Sequence, residues 1–376
     1  MLKIKKNIKV FIIATEQSGD NLGSDLIKYL KMKYKYNISF YGIGGDKMIK
    51  EGLVYTNHVS DFKSIGFFEI LINLRKILSI LSSNIKEAIK LNPDLVITID
   101  SPDFSFRFVK RLKNHLVKTK FIHYVAPSVW AWREGRAKDI SRLYDLLLTI
   151  FPFEKSYFKK YNLKTVFVGN PIFNNRTKFK IPKKKKYIAL MPGSRLNEVN
   201  SLEKYFKFII NHIHSSYPQY SIYIPTLPYL KKRITNLTSF SKKKIIISDN
   251  NKKLDNLFPK TKIAIVCSGT AALEMTKKNI PIIVIYKLNL FTEILFSFFV
   301  KTKFANIINI MAKKSIIPEI TNHKLNISKL KFSFDSLIKN EKLQKLQIKN
   351  AKVYINKLKL GKNCSYNACL EILKII

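Results

Sequence analysis

Short apolar, β-branched runs recur along the chain, each followed by a stretch with helical spacing. In the first half they fall at residues 10–14, 95–99, 121–125 and 146–150. In the second half they fall at 187–191, 221–224, 245–247, 263–267 and 282–285. Continuous apolar runs, without the alternation of a half-exposed sheet, predict parallel strands buried on both faces. Strands alternating with helices predict a doubly wound α/β architecture, with enough strands for two sheets. The polar stretch 173–186 contains Pro182 and ends in Lys183, Lys184, Lys185 and Lys186. Lying between two α/β patterns, it predicts the domain junction. The expected division is a first α/β domain over 1–175, a second over 176–340, and a helical tail over 341–376 packing back on the first. In the tail, Leu343, Leu346, Ile348 and Val353 stand near helical spacing.

Composition narrows the class. A chain of 376 residues, 46% of them hydrophobic, suits two folded domains and excludes a disordered chain. The formal charge of +43 favours anionic partners such as lipid headgroups, phosphorylated substrates or nucleic acid. Lys, Ile, Asn, Phe and Tyr are abundant throughout, so a general compositional bias explains the charge equally well. The basic residues are spread along the chain with no aromatic-interleaved basic motif, and nucleic acid is not an expected partner. Cys267, Cys364 and Cys369 show no paired metal spacing and fit a reduced cytosolic chain. The basic start, Lys3, Lys5 and Lys6, leads into an apolar run too short for a signal core. No uninterrupted apolar stretch reaches the ~20 residues that span a bilayer.

The candidate chemistry sits where apolar runs end. The first run leads into Glu16-Gln17-Ser18-Gly19-Asp20, with Leu22, Leu26, Ile27 and Leu30 following at helical spacing. Ser18 and Asp20 are potential helix caps, and Gly19 lets the backbone approach a ligand. Such a loop, opening a helix after a parallel strand, is where doubly wound folds bind ligands. Gly42-Ile43-Gly44-Gly45 reads as a flexible turn. The run 95–99 ends at Asp100, followed by Ser101-Pro102-Asp103-Phe104. Asp103 is placed to cap the next helix, which leaves Asp100 as the better general base. The segment from His123 to Arg133 holds both tryptophans of the chain, Trp130 and Trp132. Ser128 reads as a cap, Arg133 and Arg136 as one face of a turn, and the gathering of rare residues as a site wall.

Two phosphate-type loops follow in the second half. Pro192-Gly193-Ser194-Arg195 offers close backbone approach, a hydroxyl donor and a guanidinium fork for a diphosphate. Ser268-Gly269-Thr270-Ala271-Ala272-Leu273-Glu274 offers backbone N–H groups at a helix start, with Glu274 one turn in and within reach of ribose hydroxyls. Neither matches the Walker or dinucleotide glycine pattern.

These motifs in this order, with Phe151-Pro152-Phe153-Glu154-Lys155, residues 306–312 and Pro318-Glu319, resemble the lipid-A-disaccharide synthase family over about residues 10–322. The resemblance implies a GT-B glycosyltransferase: two Rossmann-like doubly wound domains facing across a cleft, with the nucleotide-sugar donor mainly on the second. It implies inverting transfer from UDP-2,3-diacylglucosamine to 2,3-diacylglucosamine 1-phosphate, giving a tetraacyl disaccharide 1-phosphate and UDP. Asp100, or Glu16 in its place, would take the acceptor proton. Gly193, Ser194, Arg195, Ser268, Gly269, Thr270, Glu274 and Asn309 would bind the donor. Ser18, Gly19, Asp20, Ser128, Trp130 and Arg133 would line the acceptor side. No metal or other cofactor is expected, since fixed cations and helix dipoles can stabilise the leaving UDP. Asn170 stands where the family commonly has His, Gln17 where a small residue is usual, and Asn322 where Gln is usual.

Both implied substrates carry acyl chains. The expected location is therefore cytoplasmic, peripheral on the cytoplasmic face of the inner membrane, with an anionic membrane surface as partner and a homodimer left open. The stretches 65–81, through Phe67, Phe68 and Leu71, and 290–304 are the candidate docking segments. A glycosyltransferase using another lipid-linked acceptor is the main alternative.

Overall fold

The structure, a computed structural model, describes residues 7–62, 70–131, 134–174, 185–267, 269–287 and 302–376, with the backbone alone for 70–74 and 251. The chain divides into two compact units, residues 1–174 with 358–376, and residues 175–357. Each is built on one parallel sheet. The first sheet holds β1 (Asn7–Ala14), β2 (Asn37–Gly44), β3 (Leu53–His58), β4 (Leu95–Ile99), β5 (Lys120–Tyr124), β6 (Leu146–Thr149) and β7 (Thr165–Phe167), in the order β3-β2-β1-β4-β5-β6-β7. The second holds β8 (Tyr187–Met191), β9 (Ser221–Pro225), β10 (Ile246–Ser248), β11 (Thr261–Cys267), β12 (Ile282–Tyr286) and β13 (Glu319–Thr321), in the order β10-β9-β8-β11-β12-β13.

All strand pairs are parallel. Every strand therefore points its carboxyl end at the same edge of its sheet. Each sheet is wound outward from its middle in two directions. The chain reverses its direction of winding between β1 and β4 in the first sheet, and between β8 and β11 in the second. Loops on either side of such a reversal lead away from each other and leave a crevice.

Burial explains the uninterrupted apolar runs. Along β1, Val10, Ile12 and Ala14 join a core cluster with Leu22, Leu26 and Leu30 of the helix Gln17–Lys33. Phe11 and Ile13 enter the opposite cluster with Phe108, Val109 and Leu112 of the helix Pro102–Leu112. In the second unit the helix Leu196–Ser216 buries Val199, Leu202, Phe206, Ile209, Ile210 and Ile213 against the sheet. Among the described residues no helix is long and apolar enough to cross a membrane. Cys267, Cys364 and Cys369 are buried thiols.

The tail differs from the expectation. The helix Glu341–Lys357 exists, but it belongs to the second unit, and only residues 358–376 return to the first. Its buried residues are Gln344, Gln347, Ala351 and Ile355, whereas Leu343, Leu346 and Val353 are exposed. Two glutamines displace leucines from the inner face because backbone groups there need partners. Gln347 accepts from the Ile282 amide at 2.7 Å and donates to the Ile282 carbonyl at 3.0 Å, acting as one more residue of β-ladder beside β12. Gln344 donates to the Leu337 and Ile338 carbonyls at the end of the helix Ile327–Lys339. The last helix, Cys364–Leu373, packs on the first unit: the Tyr124 hydroxyl donates to Cys364 Sγ at 3.1 Å, and Ser365 Oγ donates to the Leu22 carbonyl.

Replacing Gln347 by Leu leaves the Ile282 amide and carbonyl buried and unpaired. We expect Gln347→Leu to destabilise the second unit by roughly 2 kcal/mol or more despite adding apolar volume, measured as a lowered urea midpoint. An unchanged midpoint would show that water replaces the amide.

Candidate active site

The crevice of the first sheet lies between the loops that follow β1 and β4. Asp100 and Ser101 leave β4 in consecutive left-handed conformations, with φ of 55° and 46°. Neither is glycine, and each conformation costs about 1 kcal/mol or more. Local hydrogen bonds hold the turn. The Asp100 amide donates to the Tyr124 carbonyl at 2.9 Å, Asp100 Oδ1 accepts from the Ser101 amide at 2.9 Å, and Ser105 Oγ donates to the Asp100 carbonyl at 2.9 Å. Across the crevice, Thr15 Oγ1 donates to Ser101 Oγ at 2.6 Å, tying the β1 loop to the β4 loop. The turn places the half-buried Asp100 just beyond the carboxyl end of β4. Glu16 stands on the other side, exposed, as the residue before the helix Gln17–Lys33.

Several sequence readings change here. Asp20 is completely buried, and its carboxylate accepts from the amides of Gly45 at 2.9 Å, Met48 at 3.0 Å and Lys47 at 3.3 Å, and from Gln17 Nε2 at 3.2 Å. It caps the short helix Asp46–Lys50 rather than its own helix. The glycine run before that helix is accordingly a fastened turn and not a flexible one. Ser18 is exposed within the first helical turn, not at its cap. Gly19 serves packing: a Cβ there would lie 3.0 Å from Ala14 Cβ. Asp103 is likewise not a cap; it lies inside the helix Pro102–Leu112 and pairs with Arg136.

The loop after β5 begins at Val125, whose φ of 76° is strained for a β-branched residue. Ser128 sits in a turn closed by the Ala131 amide, and the next described helix starts only at Arg136, so it caps no described helix. Trp132 and Arg133 lie outside the described residues. Trp130 is half-buried; its indole N–H donates to Glu154 Oε1 at 3.3 Å, and its ring meets Phe153 edge-on at 5.4 Å. Glu154 is 1% exposed, and its Oε2 accepts from the Phe151 amide at 3.0 Å. Burial pushes its carboxyl up to about 8, against the opposing pull of hydrogen bonds from Phe151, Trp130 and Ile150. Sequence reasoning gave Glu154 no role, although the Phe-Pro-Phe-Glu-Lys run contains it. Deeper in the sheet, His123 is fully buried beside Thr98 and Tyr144, and desolvation holds it neutral, down to about 3. Asn170 folds onto its own loop, accepting from the Ile172 amide and donating to the Ile150 carbonyl.

In the second sheet the crevice lies between the loops after β8 and β11. Gly193 has φ of 118°, and a Cβ there would meet Glu198 Oε2 at 2.5 Å. Glu198 Oε2 accepts from the amides of Ser194 at 2.8 Å and Arg195 at 3.1 Å, so a carboxylate of the chain itself fills this anion-binding turn. The Arg195 guanidinium, 73% exposed, lies 3.5 Å from Glu198 and reaches solvent. Tyr229 donates its hydroxyl to the Ser194 carbonyl from the loop after β9. Ser268 lies outside the described residues. Gly269, with φ of 112°, precedes the helix Thr270–Lys277, whose first residue is exposed. Glu274, one turn along and reaching solvent, has its carboxyl pushed up by desolvation and pulled back by Lys278 and Lys277. Asn309 is placed differently from the expectation. It is completely buried, accepting from the Ile316 and Ile317 amides at 2.8 and 2.9 Å and donating to the Ile317 carbonyl and to Glu319. It fastens the segment after the helix Ile307–Ala312 and offers its amide to the fold.

The family model for lipid-A-disaccharide synthetase matches residues 10–373. A lipid-A-disaccharide synthase of Hydrogenovibrio crunogenus is 33% identical over 350 residues, covering 90% of this chain and 92% of that one. One from Wigglesworthia glossinidia brevipalpis is 33% identical over 375 residues, covering 96% of both. Among solved structures, UDP-GlcNAc 2-epimerase from Neisseria meningitidis bound to UDP-GlcNAc superposes with a TM-score of 0.66 at 14% identity, covering 99% of this chain and 100% of that one. The fold is thus the two-domain GT-B arrangement of Rossmann-like units.

Glu154 generates a pH test. Its folded value, about 8, lies above the ordinary 4.5, so the folded chain holds this proton more tightly than the unfolded chain. Its contribution is therefore most favourable below 4.5 and is lost as the pH rises toward 8. We expect the stability of the parent relative to Glu154→Gln, from urea midpoints below, within and above that window, to fall as the pH rises. Parallel curves would place the carboxyl in its ordinary range.

Proposed function

The chain belongs to the lipid-A-disaccharide synthetase family, and from that premise we propose that Asp100 takes the acceptor proton while the loops after β8 and β11 hold the donor diphosphate. The family's reaction, UDP-sugar-dependent glycosyl transfer in lipid A biosynthesis, joins UDP-2,3-diacylglucosamine to 2,3-diacylglucosamine 1-phosphate and releases UDP. The observation that carries the assignment is the left-handed Asp100-Ser101 turn at the first sheet's reversal. It presents a carboxylate at the carboxyl edge of a parallel sheet, where ligands of such sheets bind.

In this reading the acceptor hydroxyl gives its proton to Asp100 as its oxygen forms a bond to the anomeric carbon of the donor. The bond from that carbon to the phosphate oxygen breaks on the opposite side, inverting the centre, and the electron pair leaves with UDP. Arg195 and the backbone at the start of the helix Thr270–Lys277 meet the charge growing on the diphosphate. Glu274 accepts from the ribose hydroxyls. Glu198 holds the Ser194 and Arg195 amides in place until a phosphate oxygen competes for them. Glu16 is the alternative base. Acylated substrates bring the enzyme to a bilayer surface, and a chain of net charge +43 suits the anionic cytoplasmic face of the inner membrane. Phe67, Phe68 and Leu71, the proposed docking side chains, lie outside the side chains described; Ile80 and Leu81 of the same stretch are core.

Asp100→Asn should lower kcat by ~10²–10⁴-fold with little change in donor affinity or unfolding midpoint. Near-parental kcat, with the loss appearing in Glu16→Gln, would move the base across the crevice. Arg195→Ala and Glu274→Ala should each weaken UDP binding in calorimetry by about 5–20-fold, as expected for a lost charge-assisted hydrogen bond. Parental affinity in both would remove the donor assignment.

A further inference from the structure

The Trp130–Glu154 contact joins two loops separated in sequence by the helix Arg136–Leu143 and β6. Trp130 comes from the loop after β5, and Glu154 from the loop after β6; both rise from the carboxyl edge that carries Asp100. The Glu154 carboxyl is almost wholly enclosed, and it accepts from Trp130 Nε1 at one oxygen and from the Phe151 amide at the other. Both donors belong to loops, so the carboxyl acts as a two-way acceptor between them. Around it lies a cluster of half-buried rings. Phe153 stands edge-on to Trp130 at 5.4 Å, and Phe151 stacks on Phe153 at 5.7 Å. The Trp130 loop starts from strained Val125, so its course is not fixed by backbone preference.

Resting on the reading that this edge takes the acceptor, we propose that Glu154 is a positioning residue for the acceptor: it ties Trp130 to the 150–153 turn and so holds the aromatic wall against which the acylated sugar lies. An enclosed carboxyl is costly to retain for stability alone, because an apolar side chain of similar volume would fill the space without a desolvation penalty. What only an acceptor can do is orient an indole N–H and a backbone amide at once. Rings so held present flat apolar faces to sugar C–H groups and acyl chains while losing little freedom when these bind.

The chain has two tryptophans, so Trp132→Phe leaves Trp130 as the sole tryptophan, which can be excited apart from the tyrosines at the red edge of absorption. In that background Glu154→Ala should shift the Trp130 emission and raise the acceptor KM by on the order of 5-fold, the size of one lost hydrogen bond, with kcat and UDP affinity near parental. Glu154→Gln keeps one acceptor oxygen and should recover part of the loss. Parental emission and parental acceptor KM in Glu154→Ala would overturn the proposal. Should Glu154→Ala fail to fold, Trp130→Phe removes the N–H and keeps a ring. Glu154→Gln added to Trp130→Phe should then raise the acceptor KM no further, and an additive rise would overturn the proposal. Trp130→Ala separates the two levels: an unchanged acceptor KM there would remove the acceptor reading of this edge and the proposal with it. A raised KM in Trp130→Ala, alongside a Glu154→Ala without effect, would remove the positioning role alone.

Discussion

A parallel sheet cannot be closed by hairpins; each strand must be carried back to its starting edge by a crossover. That constraint governs both units. It sends every strand in one direction and collects the loops after the strands along one edge, where the reversal of winding at the middle of each sheet opens a crevice. The loops after β1 and β4 meet at one reversal, and those after β8 and β11 at the other. Segments almost a hundred residues apart in sequence thus come within a hydrogen bond of each other, as Thr15 and Ser101 do. The chemistry assigned to these loops follows from where the sheets must leave an opening.

The same geometry decides what could be read beforehand. Nine of the described strands were legible because their apolar runs are continuous, even in the short edge strand β10, where Ile245, Ile246 and Ile247 stand together. Four were not, for physical reasons. β3 is an edge strand whose Val54 and Tyr55 are exposed, β7 and β13 have three residues each, and β2 ends in glycines that resemble a loop. Asp100 was legible because it terminates an apolar run. Asp20, Glu198 and Asn309 were misplaced or missed because a polar residue near a glycine looks the same whether it faces a ligand or fastens the backbone. Only the partner atoms distinguish these cases, and the partners lie in other segments: Gly45 and Met48 for Asp20, Ile316 and Ile317 for Asn309. Glu154 was hidden for the opposite reason, since its burial comes from tertiary packing and leaves no local signature.

Polar groups inside this protein are mostly fasteners for backbone. Asp20, Asn309, Gln344 and Gln347 each satisfy amides or carbonyls that no ladder reaches. Such side chains let the loops at the sheet edges be irregular without leaving buried groups unpaired. Loops fastened this way carry exposed Arg195 in the second unit, and half-buried Asp100 and Trp130 in the first.

The first unit is interrupted in sequence: its last stretch, residues 358–376, is separated from residue 174 by the whole of the second unit. During synthesis on the ribosome, β1 and its companions emerge before the second unit, but the apolar surface that Cys364, Ala368, Cys369 and Ile372 finally cover must wait until the whole second unit has been made. The second unit, continuous in sequence, can close before the first is complete. The amino-terminal half is thus the late finisher, with an exposed seam through most of its own synthesis. Deleting residues 358–376 would damage the half of the protein that was made first.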